Sequence, residues 1–160
     1  MNKIWKTLKP SKYNSLDEVV KDLKKNNVYV SPWIEDIIKN KKNKLTVIKN
    51  KVFLYRIKVR SLGFKKATEL RKIYKKIKEK NFSLVTLDIA LIARLHYRDQ
   101  KKGEWLRFAT PYKSLIDSDG IPHLPKLGKA LKRFFVETYW SYPKAIFHPH
   151  NEFVVMKHDI

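Results

Sequence analysis

The stretch RLHYRDQKKGEWLRFAT, residues 94–110, holds Arg94, Arg98 and Arg107, three of only seven arginines in a chain otherwise supplied with lysine. The planar guanidinium fork suits two-point contact with phosphate or carboxylate, which an ammonium cannot imitate. In a metal-independent ribonuclease-like site, Arg94, Arg98 or Arg107 would hold a phosphate, His96 or Glu104 would move a proton, and Tyr97 or Trp105 would stack on a base. The candidate catalytic set is therefore Arg94, His96 and Glu104. The same residues have an architectural reading, in which Arg94 pairs with Asp99 or Glu104 and ties a helix to a strand while Gly103 permits a tight turn. Ion pairs at such junctions are far commoner than catalytic sets, and the architectural reading is favoured.

Other chemistry is thinly supplied. In HPHNE, His148 and His150 flank one proline, and Glu152 or His123 would be a third metal ligand, but a solvated turn accounts for the same residues. DSDG, residues 117–120, lacks the further acids of a calcium loop and reads as a turn. The chain has no cysteine, which excludes disulfides and thiolate chemistry, and it has no glycine-rich phosphate loop, serine nucleophile motif or HExxH. No cofactor or metal is expected.

Charge points to a class of partner. The formal net charge is +21, with 24 Lys/Arg against 7 Asp/Glu in residues 1–80 and 12 against 8 in residues 81–160. Such a field attracts RNA, DNA or another polyanion through counterion release and steering. The candidate contacts are Lys65, Lys66, Lys72, Lys75 and Lys76 on a basic helix face, with Arg98, Lys101, Lys102 and Arg107. Lysine makes up 29 of the 36 basic residues, and compositional bias alone would produce that. An acidic protein is a further candidate partner.

These residues need elements to position them. Ser15 and Glu18 form a capping box before Leu16, Val19, Val20 and Leu23. Ser31 and Pro32 open a second helix with Trp33, Ile34, Ile37 and Ile38 on its apolar face. Alternating β-branched and aromatic residues over 45–59 predict one or two strands with a turn near Asn50. After SLGF, Leu70, Ile73, Tyr74 and Ile77 define a third helix. SLVTLDIALIARLHY reads as a buried helix capped by Thr86, and EWLRFAT, RFFVETYW and EFVVM read as strands. The expected fold class is α+β, with N-terminal helices packed on a mainly antiparallel sheet. We expect a single domain over 1–160 with an extended N-terminal arm over 1–12. Lacking a signal-like or membrane-spanning run, the chain is expected to be cytoplasmic.

IKVRSLGFKKATELRKIY, ALIARLHYRDQKKGEWLRFAT and DSDGIPHL together resemble an uncharacterised family of small bacterial proteins with an RLxYxDQxxGEWL-like segment. The resemblance spans roughly residues 15–156. Arg94, Leu95, Tyr97, Asp99, Gln100, Gly103, Glu104, Trp105 and Leu106 carry it, while Lys101 and Lys102 stand where a proline is expected. It implies no activity, cofactor or residue role. The leading expectation is a basic nucleic-acid or polyanion-binding protein without catalytic activity.

Overall fold

The computed structural model describes residues 2–158 and is α+β. Strands β1 (Ile4–Leu8), β2 (Tyr29–Val30), β3 (Val52–Lys58), β5 (Trp105–Phe108), β6 (His123–Ala130), β7 (Arg133–Trp140) and β9 (Glu152–His158) form one sheet in the order β1-β3-β9-β5-β6-β7-β2. Pairing is antiparallel except for β5 on β9 and β2 on β7. Two short strands, β4 (Thr68–Glu69) and β8 (Ile146–Phe147), make a second small sheet.

The helices form where side-chain spacing and caps require. In α1 (Leu16–Lys25), the Ser15 hydroxyl accepts the Glu18 amide at 3.3 Å, and the Glu18 carboxylate accepts the Asn14 amide at 2.9 Å, one residue earlier than a standard capping box. In α2 (Pro32–Lys39), Ser31 accepts the Trp33 amide. Ile34 and Ile37 are buried there, but Trp33 is 46% exposed, a correction to its expected place on the apolar face. α3 (Leu70–Glu79) buries the four residues its spacing assigned to the core. In α4 (Leu87–His96) every residue from Leu87 to Arg94 is buried. Thr86 gives its hydroxyl to the Asp88 carboxylate instead of capping the backbone.

Both sheet faces are used. On the first, α1, α2 and α4 pack against Leu54, Leu106, Phe108, Leu127, Val136 and Val154. On the second, α3 and a 3-10 turn (Val59–Leu62) pack against Ile57, Phe153 and Val155. Adjacent residues Phe153 and Val154 thus serve opposite cores, as the period of two in a strand dictates.

Three expectations need correcting. Residues 4–8 are not a free arm: β1 pairs with β3, and Trp5 sets its ring edge-on to Tyr97 at 5.0 Å. Only Val52–Lys58 of the 45–59 run is a strand. Strand β6 was not foreseen because it contains Pro125 and Gly128, both strand-weakening residues. The structure accommodates the proline because its register with β5 runs only from Lys126 to Gly128.

Leu54 is fully buried in β3, beneath the first helical layer. Leu54→Ala should lower stability by about 2–5 kcal/mol, read from the urea midpoint at unchanged slope.

Candidate nucleic-acid interface

The structure separates the expected catalytic set. Arg94 is only 1% exposed. It lies in the last turn of α4 inside the molecule, where its guanidinium donates to Gln100 Oε1 at 2.5 Å, to Gly128 O at 3.2 Å and to Tyr97 O. Its Nε has no acceptor among the described residues, and its Cζ lies 4.4 Å from the Phe134 ring centroid. Burial lowers its pKa to about 10, so it stays charged at neutral pH. These partners are neutral, which overturns both the phosphate-holding role and the pairing with Asp99 or Glu104.

Glu104 belongs to another arginine. Arg56 in β3 binds Glu152 through two hydrogen bonds, Nε to Oε2 at 2.9 Å and Nη2 to Oε1 at 2.8 Å, and approaches Glu104 at 3.3 Å. The Tyr97 hydroxyl donates to Glu104 at 2.7 Å and accepts from Arg56 at 3.0 Å. Burial, then the bond to Glu104, raises the Tyr97 pKa to about 12. Burial alone would lower Arg56, and Glu152 with Glu104 more than reverse it. His96 is exposed and lines a different cleft of about 600 Å³ with Lys9, Lys12, Tyr13 and Asp22. Its pKa is lowered by partial desolvation and then by Lys6, Arg98 and Lys12. Arg94, His96 and Glu104 therefore face separate surroundings, and a catalytic centre built from them is not supported.

A buried polar relay escaped the sequence reading. His123 places one ring nitrogen 2.8 Å from Asp117 Oδ2 and the other 3.0 Å from Thr138 Oγ1, and Trp33 stacks on the imidazole. With both ring nitrogens engaged, His123 is not placed as a metal ligand. Asp117 also accepts the amides of Asp119 and Ile121 at 2.9 Å, so DSDG is a turn pinned to β6 and β7. His148 and His150 stack on each other with both rings exposed. No group of three His, Cys, Asp or Glu among the described residues is placed to hold a metal.

The expected polyanion contacts fall in four places. Lys65, Lys66, Lys72 and Lys75 are exposed around α3, while Lys76 is half-buried and pairs with Glu79 at 3.1 Å. Lys101 and Lys102 lie exposed in the loop before β5. Arg98 is elsewhere, bonding Asn26 at the end of α1 over the first sheet face.

Arg107 is the informative one. Among β6 and β7 residues, Leu124 and Tyr139 join the second core, and further along these strands that face carries Lys126, Gly128, Phe135 and Glu137. Arg107 stands opposite Lys126 in register, both half-buried. Neither cation has a hydrogen bond or a carboxylate within 4.0 Å among the described residues, and the buried Arg107 Nε lacks an acceptor. Aromatic rings surround them: Arg107 Cζ is 5.8 Å from both Tyr139 and Phe147, and Lys126 Nζ is 4.5 Å from Trp105. Burial is the main cause lowering both pKa values, with Arg107 further lowering Lys126 and Glu137 offsetting part of that shift. Lys126 was missed because it lies in the strand that the sequence concealed.

No protein family, curated protein or solved structure matches the chain. No helix among the described residues is long and apolar enough to cross a membrane.

Arg94→Ala strands three buried acceptors, so it should cost about 3 kcal/mol or more of stability, measured by denaturant unfolding. Asp117 gives a pH prediction. Burial raises its pKa, but the bonds from His123, Ile121 and Asp119 outweigh burial and hold the carboxyl below its ordinary value. Its contribution to stability is complete above the unfolded-state value near about 3.9 and is lost as pH falls through the lower folded-state value. Asp117→Asn should therefore destabilise at neutral pH and narrow its gap to the parent protein on acidification, followed by Tm against pH.

Proposed function

We propose that the protein binds nucleic acid, as the principal polyanion, through the second face of the sheet. The observation that carries this reading is the Arg107–Lys126 pair, two adjacent half-buried cations with no carboxylate within 4.0 Å among the described residues. Like charges held together and partly desolvated lower stability unless an anion neutralises them. Arg107 Nε is itself closed off from solvent, but no described residue accepts a hydrogen bond from this guanidinium, which leaves its outer nitrogens for such an anion.

The surroundings favour the same partner. The exposed lysines of α3 lie on this side of the sheet, so its field adds to that of the pair. Glu137, opposite Lys126 in register, is the acidic residue of this patch. Lys65, Lys66, Lys72 and Lys75 supply long-range attraction, while Arg107 and Lys126 define where the phosphates sit.

Binding to a fluorescent oligonucleotide, followed by anisotropy across a salt series, tests this. Affinity should fall steeply with salt, and joint Arg107→Ala and Lys126→Ala substitution should weaken it while reducing the log–log salt slope by about 1–2. Absence of binding at low salt would defeat the proposal, as would an unchanged slope in the doubly substituted protein.

A further inference from the structure

Beside the cationic pair runs a second cross-strand row. Trp105 in β5 stands opposite Gly128 in β6, Gly128 opposite Phe135 in β7, and Phe135 opposite Tyr29 in β2. Directly paired residues point to the same side of a sheet, so Trp105, Phe135 and Tyr29 present their rings in one line. At about 4.8 Å between strands, this line spans about 14 Å. The cations lie two residues further along β5 and two back along β6, about 7 Å away at the usual rise per residue.

Gly128 is what lets the Trp105 indole lie over β6. A Cβ on it would come 2.4 Å from the Trp105 ring, so the indole rests on bare backbone. Across that backbone the Tyr29 and Phe135 centroids are 5.4 Å apart. Lys126 Nζ sits over Trp105 and Arg133 over Tyr29, so cations accompany the row at both ends. All three aromatic residues remain half-buried and open to solvent.

We infer that this face binds single-stranded nucleic acid, with unpaired bases stacking along the Trp105–Phe135–Tyr29 row and phosphates held by Arg107 and Lys126. The inference rests on the polyanion reading above and adds the class of ligand. A heparin-like polymer offers charge without flat rings, and a duplex hides the faces of its bases within its own stack. A flexible single strand alone supplies anions and free π-faces together, and base–aromatic stacking tolerates any sequence. A stacking base displaces the Lys126 ammonium from the indole and frees it for the backbone phosphate.

The test compares a mixed-sequence single strand of about 12 nucleotides, its duplex and heparin as three probes of the full chain. Trp105→Ala should weaken single-strand binding about tenfold or more and leave heparin binding unchanged, while Trp105→Phe restores most of the loss. Gly128→Ala, which pushes the indole off its seat while keeping every ring and charge, should act like Trp105→Ala; thermal melting identifies any variant that fails to fold. The single strand should also bind more tightly than its duplex. Unchanged single-strand affinity in the folded Trp105→Ala protein, alongside a loss in the Arg107→Ala and Lys126→Ala protein, would overturn the stacking inference and leave polyanion binding standing. Equal affinity for single strand and duplex would overturn it in the same way. Failure of all three probes to bind at low salt would overturn both.

Discussion

A buried cation held by neutral oxygens organises this molecule. Arg94 sits at the C-terminal end of α4, where the helix dipole is negative and three neutral oxygens converge on its guanidinium. The Phe134 ring beneath it adds cation–π attraction, strengthened by the absence of water. Gln100, which receives one of those bonds, passes the connection on by donating to the carbonyls of Glu104 and Leu127 at 3.2 and 3.0 Å. One guanidinium thus fixes a helix end, a loop and the strand pair that follows.

The proposed interface is the reverse side of the same arrangement. The carbonyl of Gly128 takes a hydrogen bond from Arg94, while its bare Cα forms the seat for the Trp105 indole on the second face. The Arg56–Glu152–Glu104–Tyr97 cluster joins β3, β9 and the entry of β5 through side-chain hydrogen bonds and ion pairs. Segment 94–110 therefore concentrates arginine for two physical ends: Arg94 bonds internally, and Arg107 has no acid within 4.0 Å among the described residues.

How far the sequence disclosed this depends on whether the determinants were local. The helices were readable because their caps and apolar spacing lie within one or two turns, as Ser15, Ser31 and the Leu70–Ile77 stripe show. The alternation of Trp105 and Arg107 against Leu106 and Phe108 was also readable, since a strand has only two sides. Strand β6 was not, because Pro125 and Gly128 lower strand propensity and only their neighbours on β5 and β7 compensate. Nor could spacing show that Glu104 would meet Arg56, forty-eight positions earlier, or that Lys126 would complete a pair with Arg107. Local arithmetic instead joined Arg94 to the nearest acids, and long-range sheet pairing decided otherwise.

The position of β9 has a kinetic meaning. It is the strand that joins β1–β3 to β5–β6–β7–β2, and its alternate residues enter both cores. The β6–β7 hairpin can close early through a short loop, but β3 must wait for residues about a hundred positions away before it gains its inner neighbour. During synthesis on a ribosome the half-sheets would each show an unfilled edge until residues 152–158 emerge. The edges they expose in that interval are Val52–Lys58 and Trp105–Phe108, and charges at Arg56, Lys58 and Arg107 discourage those edges from pairing with another nascent chain.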